Sequence, residues 1–347
     1  MSAAHPRPTM KDVAALAGVA IKTVSRVMNG DPTVAPELAA RIRAAAGKLG
    51  YRPNLTASSL RRGDRRTAMI GLLLEDVSNP FSAALLRAVE DEARRRQVQI
   101  LIGSLDEDPV RERELAIALI DRGVDGLLIV PTGPDHSYLV AERRLGTRVV
   151  FVDREPRFLD ADAVVSDNWH GAAAAVDHLL SFGHRRIAYL GDNAGITTAA
   201  HRFDGYSRAL ERAGLAADPS IIRHGLRTIE AAAAAATGLF GLPDPPTALF
   251  AGENLVTIGA VKALRRAGLA ETVALVGFDD FLLADILVPG VTVITQDTAQ
   301  LGRLATQLLF ARLDGDDSPA RKHVVPTGML TRGSGEIRPA SAMVVGG

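Results

Sequence analysis

Short apolar runs alternate with amphipathic helical stretches along most of the chain, starting near residue 68. Met69–Leu74 is the first run, and an amphipathic stretch from about Pro80 to Arg96 follows it. Similar runs recur at residues 98–102, 126–130, 149–152, 187–190, 248–250 and 273–276. Continuous apolar strands separated by helices are typical of parallel sheets covered on both faces. The pattern therefore predicts an α/β body.

The first fifty residues have a different, purely helical pattern. A capping box of Thr9 and Asp12 opens a short helix, and Gly18 permits a tight turn after it. A second helix follows over residues 21–28, and a third begins at Pro36 and runs to Leu49. The positions expected to face inward are Val13, Leu16, Ala17, Val24, Val27, Met28, Leu38, Ile42, Ala45 and Leu49.

A helix, a glycine turn and a second helix form a helix-turn-helix pattern, in which the second helix enters the major groove of DNA. Its outward residues are Ile21, Lys22, Ser25 and Arg26. Lys22 and Arg26 lie one turn apart and can donate to guanine, while Ile21 offers an apolar contact to a thymine methyl. Pairs of short alanine-rich helices also occur in proteins that bind no DNA.

The charge is divided unevenly between the two parts of this 347-residue chain. Residues 1–66 contain 12 Lys and Arg against 4 Asp and Glu, whereas the remainder contains 28 against 36. A basic head on an acidic body favours a polyanionic partner for the head, with a solvated basic surface as the alternative. No cysteine, signal-peptide pattern or membrane-length apolar run is present, so we expect a soluble, cytoplasmic protein without disulfides.

Several motifs resemble the LacI family of bacterial repressors in order and spacing. They are Met10–Ala14, Ala17–Val19, residues 23–30 and residues 49–54. The resemblance implies that Ile21, Lys22 and Arg26 read bases and that Thr23, Ser25 and Asn29 hold phosphates. The complete set of expected DNA contacts is Thr9, Ile21, Lys22, Thr23, Ser25, Arg26, Asn29, Asn54, Ala57, Leu60 and Arg61.

Two positions depart from the family pattern. Ala20 and Ala35 stand where members usually have a serine that caps a helix and contacts phosphate. We therefore expect DNA binding that depends more on charge, and hence more steeply on salt concentration. The segment after Pro53 is a flexible basic linker by its composition. The resemblance implies a hinge helix in the minor groove, with Leu60 wedged into the central base step.

Polar residues follow several predicted strands of the body. They are Asp76, Ser78, Asn79, Phe81, Asp153, Arg154, Asp192, Asn193, Glu253, Asn254, Asp279 and Asp280, with His201 and Arg202 expected further along the loop after residue 193. Ligands of parallel α/β sheets bind beyond the carboxyl ends of the strands. A single Asp there is more often a cap or loop residue, but convergence of five strand ends suits a polyhydroxylated ligand.

The resemblance extends to this body and implies a two-lobed, periplasmic-binding-protein-like core. It assigns effector contacts to Asn79, Phe81, Asp153, Arg202, Glu253, Asn254, Asp279 and Gln296. Glu253-Asn254 replaces the more usual Asn-Asp, so specificity does not carry over. The expected domains are residues 1–52, a hinge at 53–66 and a core at 67–347. The lobes are expected at about 67–166 with 296–325, and at about 167–295 with 326–347.

The function expected is that of a DNA-binding regulator, most simply a repressor. It would bind a pseudo-palindromic operator as a homodimer, with a tetramer also open, under control of a sugar or polyol. No Gly-x-Gly-x-x-Gly follows the first strand and no catalytic motif occurs, so we expect neither an enzyme nor a cofactor. The eight histidines lack metal-ligand spacing. A transport-type sugar-binding protein and a regulator of a purine-like ligand stay open, as does inducer versus co-repressor.

Overall fold

The computed structural model describes residues 8–28, 31–51 and 66–340. The chain divides into two compact units, Met1–Thr67 and Ala68–Gly347. Each unit has its own hydrophobic core.

The first unit is a three-helix domain with helices α1 (Met10–Ala17), α2 (Ile21–Met28) and α3 (Pro36–Leu49). Its core contains the fully buried Val13, Val24 and Ile42. The capping box of Thr9 is confirmed, because its hydroxyl accepts from the backbone of Asp12 while the Asp12 carboxylate accepts from the backbone of Thr9.

Two details of this domain bear on the sequence analysis. Leu16 was expected inside, but its side chain is 52% exposed and Ala14 is buried in its place. The buried stripe of this helix consists of Val13, Ala14 and Ala17, and Leu16 lies beyond its edge on the Val13 side. Ala35 precedes α3 without any side-chain cap bond.

The first lobe of the second unit is a six-stranded parallel sheet in the order β11-β5-β4-β3-β1-β2. Its strands are β1 (Met69–Leu74), β2 (Gln99–Ser104), β3 (Gly126–Ile129), β4 (Arg148–Val152), β5 (Asp162–Ser166) and β11 (Lys322–Val325). Its helices are α4 (Pro80–Arg95), α5 (Pro109–Asp121), α6 (Leu139–Arg144) and α11 (Thr298–Leu313). Leu72 and Leu73 belong to different core clusters, as successive residues of a doubly covered strand must.

The second lobe repeats this plan with the order β12-β10-β9-β8-β6-β7. Its strands are β6 (Ile187–Leu190), β7 (Ile222–Arg223), β8 (Ala248–Ala251), β9 (Ala274–Phe278), β10 (Thr292–Gln296) and β12 (Thr327–Leu330). Its helices are α7 (Asn168–Ser181), α8 (Thr197–Arg212), α9 (Ile229–Phe240) and α10 (Asn254–Ala267). The chain passes between the lobes after β5, after β10 and between β11 and β12, which confirms the two-lobed fold class.

The structure corrects two expectations for this unit. β12 is antiparallel to β10, so the second sheet is not wholly parallel. His201 and Arg202 lie on α8 and not on the loop after residue 193, because α8 already begins at Thr197.

Candidate functional site

The exposed face of α2 carries the side chains expected to read DNA. Ile21, Lys22 and Arg26 are exposed, and Thr23 and Ser25 are half-buried. Arg26 is engaged within the domain, because its Nε lies 2.8 Å from Asp31 Oδ2 and it also donates to the Thr33 hydroxyl. Hydrogen bonds from Thr33 and Arg26 lower the pKa of Asp31. This pair lies on the surface, where an ion pair is weak enough to exchange for another anion.

Five of the expected DNA contacts lie outside the described residues. They are Asn29, Asn54, Ala57, Leu60 and Arg61. Thr9 is described and exposed, with its hydroxyl in the capping box of α1.

The second unit contains a polar cleft between its lobes. All eight residues expected to contact an effector line it: Asn79, Phe81, Asp153, Arg202, Glu253, Asn254, Asp279 and Gln296.

The two lobes meet directly at this cleft through a pair of asparagines. Asn79 caps α4 by accepting from the backbone of Phe81, 2.9 Å away. The same Asn79 oxygen accepts from the Asn254 side chain at 2.8 Å. Because Asn254 begins α10 of the other lobe, one hydrogen bond joins a helix start in each lobe.

Asp153 and Asp279 occupy matching places in the two lobes. Each directly follows a buried strand, and each has a positive φ, 68° and 66° respectively. Aspartate tolerates this left-handed backbone better than most residues, and such local strain is concentrated at functional sites. The turn directs both carboxylates into the cleft, and burial raises the pKa of each.

Arg202 is fixed on several sides. Its Nε donates to Asn168 and one terminal nitrogen donates to the Gly252 carbonyl, each at 2.7 Å. The guanidinium lies 3.9 Å from the centre of the Phe278 ring and 3.5 Å from Asp279 Oδ2. Gln296 holds the other Asp279 oxygen at 2.7 Å. The cleft therefore presents a rigid polar wall.

Three oxygens and one nitrogen of the lining side chains are buried without a hydrogen-bond partner among the described residues. They are Asp153 Oδ1, Glu253 Oε1, Gln296 Oε1 and Arg154 Nε. Buried polar groups are nearly always satisfied in proteins, so these atoms need partners from a ligand or from water in the cleft. Three of the four atoms are acceptors, which fits a ligand rich in hydroxyl donors.

Sequence reasoning left several lining residues out of the site: Glu75, Arg154, Asp192, Ile196 and Thr198. Arg154 and Asp192 were recognised as strand-end residues but not assigned a contact. Asp76 was named in place of its neighbour Glu75. The Asp76 carboxylate instead accepts hydrogen bonds from the backbone N–H and the hydroxyl of Ser78, each at 2.8 Å. Asp76 therefore belongs to a turn of the loop.

Other polar positions from the sequence analysis have structural partners. Asp280 forms two 2.7 Å bonds with Arg332, and Trp169 donates to Asp204 at 2.6 Å. His, Asp and Glu form no group of three or more suited to a metal ion within residues 8–28, 31–51 and 66–340. In the same residues no helix is long and apolar enough to cross a membrane.

Comparison with known proteins gives consistent matches. The model of bacterial regulatory proteins, lacI family, matches residues 9–54, and a periplasmic binding protein-like domain matches residues 176–335. The HTH-type transcriptional repressor CytR of Escherichia coli (strain K12) is 30% identical over 328 residues, which are 94% of this chain and 96% of that protein.

Two solved structures are similar over most of the chain. The transcriptional regulator CelR–cellobiose complex has 30% identity and a TM-score of 0.70, covering 94% of this chain and 100% of that one. The Lac repressor dimer bound to operator and the anti-inducer ONPF has a TM-score of 0.84, covering 94% and 99%. At 23% identity the second likeness concerns the fold alone.

Proposed function

The chain belongs to the LacI family of bacterial transcriptional regulators, which are not enzymes, and we propose that it is a repressor controlled by a polyhydroxylated effector. The observation that carries the effector is the convergence of eight expected contacts on one cleft. The unsatisfied acceptors there suit the hydroxyl groups of a sugar or polyol. The CelR–cellobiose complex supports the same ligand class.

We propose that the protein binds a pseudo-palindromic operator as a homodimer. Two helix-turn-helix domains on a two-fold axis read two half-sites, so operator binding requires a second copy. The segment 282–288 of the second lobe offers a surface for that copy. It exposes four large aliphatic side chains: Leu282, Leu283, Ile286 and Val288. Contiguous exposed apolar surface of this kind marks interaction sites.

The proposed mechanism couples the cleft to DNA. The Asn79–Asn254 bond joins the lobes where an effector would sit, so a bound ligand changes how the lobes close. A change in closure alters operator affinity, and the coupling is reciprocal: whatever factor the effector applies to operator affinity, the operator applies to effector affinity. A hinge helix with Leu60 as wedge remains a prediction from the sequence.

The experiment is operator binding by fluorescence anisotropy, using DNA from the promoter region beside the gene, with and without sugars and polyols. We expect specific binding that one or more of these compounds shifts at least about tenfold, a coupling of about 1.4 kcal/mol. A thermal-shift screen on the same compounds and on purines identifies the binder. Tight sugar binding without affinity for any DNA would contradict the repressor proposal, and a response to purines alone would contradict the effector class.

A further inference from the structure

The cleft is lined by more acidic than cationic side chains. Five carboxylates line it, namely Glu75, Asp153, Asp192, Glu253 and Asp279, against two guanidiniums, Arg154 and Arg202. The hydroxyls of a neutral sugar can donate to amide, hydroxyl or carboxylate oxygens, whereas a cationic donor on the ligand also balances the charge of an acid.

Both guanidiniums already have close anionic partners. Arg154 binds Glu107 through two hydrogen bonds of 2.6 and 3.0 Å, in the bidentate geometry that arginine favours. Arg202 lies 3.5 Å from Asp279. Glu107 adds a sixth carboxylate beside the cleft and takes up most of the charge of Arg154. Because Arg227 attracts Asp192, the acids with the least compensation are Glu75, Asp153 and Glu253.

Asp153 gives an observation independent of the charge count. Asp153 lines the cleft and is only 6% exposed. Its Oδ1 atom is buried and has no hydrogen-bond partner among the described residues. Its other oxygen is 3.5 Å from Arg154 Nε. Glu253 Oε1 is likewise unpartnered. A buried carboxylate oxygen without a donor is costly, and a charged donor on a ligand compensates it best.

The titration behaviour agrees with this picture. Burial, reinforced by the neighbouring Asp192 and Glu75, raises the pKa of Glu253 to about 8. Burial also raises the pKa of Glu75 to about 7, against the attraction of Arg154. The raised pKa values mean that no nearby cation stabilises the ionised form of these acids enough to offset their burial. A positively charged ligand would supply that stabilisation.

On the basis of the proposed polyol effector, we propose that this effector carries a basic nitrogen, so that it is an amino sugar or amino polyol and not a neutral or acidic sugar. The ammonium group lies among Asp153, Glu253 and Glu75, and the hydroxyls bind the remaining polar wall. Phe81 lines the same cleft and offers an aromatic face to the carbon skeleton. An anionic ligand such as a sugar acid or sugar phosphate is repelled.

The test compares matched ligands by isothermal titration calorimetry on the full chain at about pH 7.5, where amines of this kind retain much of their charge. The pairs are glucosamine with glucose, galactosamine with galactose, mannosamine with mannose, and glucamine with sorbitol. N-acetylglucosamine keeps the nitrogen without its charge, and gluconate supplies an anion. We expect at least one amine to bind about tenfold or more tightly than its hydroxyl partner, and the acetylated and anionic compounds to lose that gain.

Two isosteric variants connect the preference to the carboxylates. Glu253→Gln replaces an ionisable carboxyl group by a neutral amide of similar size, and Asp153→Asn does the same at a backbone angle that asparagine tolerates. Each is expected to reduce the preference for the amine over its neutral partner to about threefold or less. The control is Glu271→Gln, at an exposed position of the second lobe, which also contains Glu253. It should leave the preference for the amine unchanged.

Each outcome bears on a different claim. If a neutral sugar or polyol binds as tightly as its amine, this inference fails while the polyol effector stands. If amines bind best but neither variant alters their preference, the assignment of the charge to these carboxylates fails. If no polyhydroxylated compound binds, with or without an amine, both this inference and the proposed effector class fail.

Discussion

Arg202 organises the cleft through its shape as well as its charge. The planar guanidinium donates to Asn168 and to the Gly252 carbonyl while it stacks on Phe278. A lysine keeps the charge but cannot reproduce two fixed donors and a flat stacking face.

We therefore expect Arg202→Lys to lower the free energy of unfolding by about 2–3 kcal/mol, because it leaves buried acceptors unsatisfied. Urea denaturation measures this. Arg208→Lys is the matched control on the same helix, where the arginine is exposed and pairs with Asp204 and Glu211. An equal effect of the two substitutions would show that the Arg202 geometry does not matter.

The acids of the cleft make stability depend on pH. Glu75 and Glu253 have an ordinary pKa of 4.5, raised in the folded core to about 7 and about 8. Between the ordinary and raised values the folded state holds protons that the unfolded chain has released. Its free energy of unfolding is therefore highest below about pH 4.5 as far as these groups are concerned, and it decreases as pH rises towards 8.

We expect the ligand-free protein to lose about 1 kcal/mol or more between pH 5.5 and 8 through these groups, since one pKa unit corresponds to about 1.4 kcal/mol. Denaturation at several pH values measures the slope, to which Asp153, Asp192 and Asp279 also contribute because burial raises the pKa of each. Glu253→Gln should flatten it and Glu271→Gln should not. A wild-type slope of the opposite sign, with Glu253→Gln without effect, would contradict the prediction.

The apolar pattern predicts where the strands end, but it does not predict which of two adjacent residues after a strand faces the cleft. Of Glu75 and Asp76, the first lines the cleft and the second forms a turn with Ser78. Of Asp279 and Asp280, the first lines it and the second pairs with Arg332. Side-chain direction there depends on the last backbone dihedrals, such as the positive φ of Asp153 and Asp279, which apolar patterning does not encode.

At the scale of elements, the buried strands were the most predictable part. β1 and β6 have the predicted bounds, and β2, β3, β4, β8 and β9 differ from theirs by one or two residues at an end. β7 has two residues, and β11 and β12 carry exposed positions, so none of them forms an apolar run. β5 and β10 are apolar but were not identified, because they lie where the chain changes lobes and the alternation with helices is interrupted.

The start of α3 offers a test at this scale. Ala35 occupies the N-cap position and forms no side-chain bond there. Ala35→Ser should stabilise the three-helix domain by about 1 kcal/mol, because a serine hydroxyl satisfies a backbone N–H of the first turn.

Hydrogen exchange of the amides of α3 in the full chain measures this gain as slower exchange. Ala40→Ser is the control, since position 40 is an exposed interior position of the same helix, where serine is a weaker helix former by up to about 0.5 kcal/mol. Equal protection in the two variants would show that the missing cap is not limiting.

At the scale of the whole molecule, a single copy presents one recognition helix, and a pseudo-palindromic operator needs two. The exposed segment 282–288 is therefore central to the proposed assembly. Ile286 is 68% exposed and Val288 is 72% exposed, although both are large and aliphatic. In a monomer this apolar surface would face water and would lower the solubility of the protein.

Ile286→Lys places a charge in the proposed contact between two copies. We expect it to weaken dimerisation by about 100-fold or more, the effect of a loss of about 3 kcal/mol at a central contact. Operator affinity should fall with it, because each half-site alone binds weakly. Effector binding should persist, since Ile286 does not line the cleft.

Sedimentation velocity measures the assembly, and anisotropy with operator DNA measures its consequence. Leu145→Lys is the control, at a side chain that is 83% exposed at the end of α6 in the first lobe. If Ile286→Lys sediments as wild type does, then segment 282–288 is not the dimer contact. If the variant is monomeric yet binds operator with full affinity, then operator binding does not require two helix-turn-helix domains. That result would contradict the proposed two-fold arrangement.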